Sequence, residues 1–213
     1  MNDYGETDYQ IDLFAEIENA YSGGSSIFDN MTSDDLVLAF FPCTRFECQC
    51  SMNFRGDGSQ MRGWDDERKL EYDLYLFDDL SRNYIAITKM VLIALKRGLR
   101  MVIENPANKP HFLTSYWALK PSIIDKDRRL DGDRQKKPTQ YWFVGFRPKQ
   151  NMLLEPLNYV ESRRHESLPP NSPIRSEIHP QYANRFIRKY LLDGYETDAE
   201  EYGQLKLNFG GQT

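Results

Sequence analysis

Cys43 has the residue type and the setting of a nucleophile. It follows Pro42 immediately after the unbroken apolar run Leu36-Val-Leu-Ala-Phe-Phe41. Proline cannot donate to a strand ladder, so the thiol is delivered just past the carboxyl end of a strand, the edge where open α/β sheets place ligands. A buried, inert structural thiol is the competing reading, and residue type alone leaves it open. Cys48 and Cys50 complete a Cys-x4-Cys-x-Cys cluster, but the second half of a tetrahedral metal site does not follow and the chain holds only three histidines. No metal is expected, and three crowded cysteines fit a reducing compartment.

The elements that position Cys43 are legible in the pattern around it. Leu36 to Phe41 has no polar alternation and reads as a short strand covered on both faces, as in a parallel sheet interior. From Trp64 to Arg97 the period turns helical, with Leu70, Leu74, Phe77, Tyr84, Ile87, Val91 and Ala94 on one face and Gly98 as the stop; Ser81-Arg82-Asn83 is a possible break. Arg100-Met-Val-Ile-Glu104 is a second strand. Strand, crossover helix and strand form a parallel unit, so Glu104 and Cys43 belong on one sheet edge.

The rest of the chain flanks that unit. Ile11, Leu13, Phe14, Ile17 and Tyr21 predict an amphipathic helix stopped at Gly23-Gly24, a cap in preference to a phosphate loop because it follows a helix. Ser51 to Gly63, rich in glycine and carrying Arg55 and Arg62, reads as a loop that could close over a substrate. Residues 126–149 carry eight basic and three acidic side chains. Within them Thr139 to Phe146 reads as an aromatic, β-branched strand, so this zone suits either nucleic acid or a solvated edge. His179 to Leu192 predicts a last amphipathic helix with Tyr182, Phe186, Tyr190 and Leu191 inward. The expected division is an acidic helical segment at 1–35, an α/β domain at 36–192 and an acidic tail at 193–213.

Composition sets limits. The 213 residues carry a net charge of −5, which excludes a global basic field and makes any nucleic-acid contact local. No window approaches the roughly 18 apolar residues of a membrane span, and the polar N-terminus is not a signal peptide, so a soluble, cytoplasmic protein is expected.

Four segments in order, Ala39-Phe-Phe-Pro-Cys-Thr, Ile103-Glu-Asn-Pro, Lys136-Lys-Pro-Thr-Gln-Tyr-Trp-Phe and Gln181-Tyr-Ala-Asn-Arg-Phe-Ile, resemble the ordered motifs of DNA cytosine-5 methyltransferases. The closest likeness is to the small, divergent relatives of bacteriophages and prophages, over roughly residues 35 to 192. The resemblance implies a partial Rossmann-like methyltransferase sheet, mostly parallel with an antiparallel edge strand and flanked by helices. It makes Cys43 the nucleophile that adds to carbon 6 of cytosine and Glu104 the carboxyl that binds the ring nitrogen and exocyclic amine. The base, in DNA or as a pyrimidine nucleotide, would have to leave any duplex to reach Cys43. Phe41, Pro42 and Asn184 fall where the family approaches S-adenosylmethionine, and Thr44, Arg45, Asn105, Lys137 and Gln140 where it supports the substrate.

The family's donor site is a glycine-rich loop after a first strand and an acidic residue after a second, both ahead of the Pro-Cys strand. Only 35 residues precede that strand here, with neither feature, where on the order of 70 would be needed. Three expectations follow. One is a methyltransferase-like fragment or subunit completed by a partner chain or by self-association. Another is a catalytically inactive nucleotide- or DNA-binding protein, or a decoy or anti-defence interaction protein, on the same fold. The third is an enzyme that holds the methyl donor in a different way.

Overall fold

A computed structural model describes residues 10–162 and 177–192, apart from the side chains of residues 48 and 49. Four strands form one mixed sheet: β1 (Leu36–Phe40), β2 (Arg100–Pro106), β3 (Ile123–Asp125) and β4 (Thr139–Val144), in spatial order β1-β2-β4-β3. β1 and β2 are parallel, with Phe40 beside Glu104, as the crossover requires. The other two pairings, β2 with β4 and β3 with β4, are antiparallel. The expectation of a mostly parallel sheet is thus corrected, and β4, expected at an edge, lies inside. After β2 the five-residue helix α4 (counted in chain order, Phe112–Tyr116) lies on the way to β3, which runs in the same direction as β2 at the far edge, and β4 then returns antiparallel between the two.

Helices cover both faces. The crossover is one continuous helix, Asp66–Arg97, here α3, after α1 (Leu13–Tyr21) and α2 (Cys48–Phe54). Asp65 caps its start by accepting from the Arg68 N–H, and Gly98 ends it at φ +67°, a left-handed turn that glycine adopts without penalty. Its Ile87, Met90 and Ala94 pack with Ile17 of α1 on Met101, Ile103, Trp142 and Val144, the sheet face that forms the core. On the opposite face lies α5 (Pro180–Tyr190), whose Phe186 ring stands 4.4 Å from that of Tyr141. Proline at its first position and His179, whose Nδ1 accepts from the Gln181 N–H, explain where it begins.

Three local expectations are corrected. Leu36, Leu38 and Phe40 are 36%, 45% and 61% exposed, so β1 is not covered on both faces; it is an edge strand, and α5 is centred on β4. Leu70, Leu74 and Phe77 are exposed, and the inward positions of that half of α3 are Leu76 and Leu80. A helix of 32 residues is about 48 Å long, roughly twice a seven-residue strand, so its first half extends past the sheet. The segment expected as a loop after Cys50 instead contains α2 and a short 3₁₀ turn with Met61 buried.

Candidate active site at the ends of β1 and β2

The register that sets Phe40 beside Glu104 carries the chain past Pro42 to Cys43, three residues beyond that pairing. There it turns: the Cys43 carbonyl accepts from Phe46 N–H at 2.8 Å and from Glu47 N–H at 3.1 Å, and α2 begins. The thiol is free and half-buried. Burial first, then the charge of Glu47 and a hydrogen bond to its carboxylate, push the thiol up to about 12. Glu104 adds to that rise and Lys137 opposes it, which places both within electrostatic reach. At neutral pH Cys43 is therefore a protonated thiol that needs a proton acceptor in order to react.

Glu104 is held differently. Its Oε1 is buried without a hydrogen-bond partner. Burial raises its pKa, against the opposing charges of Lys137 and Arg128. Burial of this kind favours the protonated form of the carboxyl, which can donate its proton or hydrogen-bond with it. Leaving such an atom unsatisfied costs on the order of 1–3 kcal/mol, a cost that a polar ligand would remove.

Glu104 also lines a small cleft between α5 and the sheet, walled by Leu38, Phe40, Val102, Tyr141 and Phe186. Behind it the Tyr182 hydroxyl donates to Asp125 Oδ2 at 3.0 Å, so the Tyr141 hydroxyl, 2.8 Å away, donates to Tyr182. Burial pushes both phenols and the Asp125 carboxyl upward. The Arg128 guanidinium lies 4.7 Å from the centre of the Tyr182 ring and is paired with Asp133, both side chains fully enclosed. Arg128 therefore leaves the basic surface expected over 126–149, and Arg129 is paired with Asp127.

A chain of amides ties the strand ends together. Asn105 Nδ2 donates to the Phe41 and Glu104 carbonyls at 3.3 and 2.9 Å. Its Oδ1 is then an acceptor, which selects the Nε2–H tautomer of His111 at 3.3 Å. Thr114 Oγ1 donates to Gln140 Oε1 at 2.7 Å, and Gln140 Nε2 donates to the Pro106 carbonyl at 2.7 Å. Burial depresses the His111 pKa to about 4 from 6.5. Because the folded value is the lower one, stability is present above the unfolded value and is lost as pH falls from about 6.5 to 4. Thermal melts across that interval should fall more steeply for the wild type than for His111→Gln; parallel profiles would refute the assignment.

The other expected site residues separate. Asn105 and Gln140 are buried in the amide chain, and Lys137 lies beside the Cys43–Glu104 pair. Phe41 packs into the core, its ring 5.8 Å from Phe14. Arg45 is bound to Asp79 at 2.5 Å, pointing its charge into α3. Pro42, Thr44 and Asn184 are exposed, and Asn184 Oδ1 accepts from Arg188 at 3.4 Å. Glu47, Asp125, Arg128 and Tyr182 escaped sequence reasoning as site residues. Only Glu47, four residues after Cys43 in a turn that Pro42 forces, had a usable signal.

No family model, curated protein or solved structure matches this chain. Among the described residues no group of His, Cys, Asp and Glu is arranged for a metal, and no helix is long and apolar enough to cross a membrane.

Proposed function

We propose that this chain carries the pyrimidine-addition site of a DNA cytosine-5 methyltransferase-like protein on a partial Rossmann-like sheet. The observation that carries the reading is the pairing of a strand-end cysteine with a buried carboxyl, Glu104, whose Oε1 has no partner. A cytosine ring seated there would meet Cys43 at carbon 6, while Glu104 would bind the ring nitrogen and the exocyclic amine. Lys137, beside both, would help to bind the nucleotide.

The residues present do not fit S-adenosylmethionine. The described residues ahead of β1 hold α1 and a short 3₁₀ turn, with no strand from which a glycine-rich donor loop or a ribose-binding acid could follow. The chemistry assigned to the described residues therefore stops at addition, and a methyl donor would be held outside them, as by a partner. The free edge of β1, unpaired among the described residues, is where such a partner's strand would add.

The second reading, a binding protein that carries out no reaction, is favoured by the Cys43 thiol being held protonated. One experiment separates the two. An oligonucleotide bearing 5-azacytosine, whose position-5 nitrogen takes a proton once a thiol has added, traps the adduct without a donor. The wild type is expected to form a denaturant-stable complex that Cys43→Ser abolishes. Unchanged affinity in Cys43→Ser, with no adduct in the wild type, would establish the binder.

A further inference from the structure

Two carboxyl groups stand beside one thiol, and the fold treats them oppositely. Glu104 comes from β2 and lines the cleft, and its Oε1 is buried without a hydrogen-bond partner. Glu47 comes from the turn that follows Cys43 itself. The hydrogen bond from Glu47 N–H to the Cys43 carbonyl, at 3.1 Å, closes that turn and brings the carboxylate back onto the thiol, which hydrogen-bonds to it. Half-buried Glu47 is also the residue from which α2 starts, so its backbone is fixed at both ends. The other charged groups facing the thiol are Glu104 from β2 and Lys137 from the segment before β4. Two carboxyls in contrasting surroundings at one reacting centre divide into an acid and a base.

We propose that Glu47 is the proton acceptor for Cys43. As the Sγ–C6 bond forms, the thiol proton passes to a Glu47 carboxylate oxygen. The C5=C6 electron pair shifts to C4–C5, the C4=N3 pair moves to N3, and N3 takes the proton of Glu104. Charge balances, because Glu47 becomes neutral as Glu104 becomes an anion, and reversal returns both protons. The proposal rests on the addition reaction proposed above.

The test compares wild type, Glu47→Gln and Glu47→Asp in two measurements made from pH 6 to 10. These are the rate of adduct formation with a 5-azacytosine oligonucleotide and the rate of Cys43 alkylation by iodoacetamide, followed by peptide mass. Glu47→Gln removes a negative charge and an acceptor together. Its alkylation is expected to be faster than wild type at pH 8, because the thiolate is less disfavoured. Its adduct formation is expected to be slower by roughly 10²-fold and to rise with pH as the thiol ionises. Glu47→Asp should recover part of the adduct rate. A wild-type adduct rate in Glu47→Gln overturns the proposal, and so does a loss of both rates together, which marks a merely structural residue. A wild type that alkylates but forms no adduct overturns the addition reading itself, with this proposal alongside it.

Discussion

Asp133→Ala should destabilise the protein by about 3–5 kcal/mol, the usual cost of stranding one member of a buried ion pair. Arg128 and Asp133 side chains are 1% and 2% exposed, so the remaining guanidinium would face no solvent. Its Nε and Nη1 already lack hydrogen-bond partners, which leaves it dependent on Asp133 and the Tyr182 ring. The double variant Arg128→Met, Asp133→Leu removes both charges and should regain most of the loss, because the pair's attraction is largely offset by desolvation. Denaturant midpoints decide it. Equal losses in single and double variants would mean that packing, and not charge, holds this segment. The pair matters to the site because it fixes the stretch that leads to Lys137 and packs on Tyr182, a wall of the cleft.

Glu104→Gln is expected to move stability and chemistry in opposite directions. Burial raises the folded pKa of Glu104 above its ordinary value of 4.5. Its favourable contribution is therefore complete below that ordinary value and is lost as pH rises through the folded one. Glutamine carries no charge to bury, so the variant should melt above the wild type at pH 8, and the gap should narrow toward pH 4. Adduct formation, deprived of its acid, should fall by about 10²–10³-fold. A variant less stable than the wild type at pH 8 would show that Glu104 has a folded-state partner and is not held in reserve for a ligand.

The parts of this fold that were legible are those fixed by short-range physics. Pro42 ends β1, Gly98 ends α3, and an apolar strand, a helix and a second apolar strand force the parallel pairing that brings Cys43 and Glu104 together. What was not legible depends on the reach of elements relative to one another. The apolar residues of β1 look like a strand buried on both faces, yet its place at the edge exposes Phe40. Leu70 and Leu74 keep the helical period, yet they lie on the half of α3 that extends past the sheet. β3 has three residues, too few for a periodic signal, and without it β4 reads as an edge. Arg128 is one cation in a basic run until Asp133, five residues on, encloses it. At the site, Cys43 and Glu104 were visible as residues, whereas Tyr141 and Tyr182 meet only when α5 folds back over β4.

In the proposed function Cys43 adds to a pyrimidine ring while Glu104 protonates it. The most direct measurement is the mass of wild-type protein after incubation with a 5-azacytosine oligonucleotide, followed by peptide mapping of the modified cysteine. One added oligonucleotide per chain is expected, located on Cys43 and absent from Cys43→Ser. A modification on Cys48 or Cys50, or no covalent product while the oligonucleotide is bound, would contradict it.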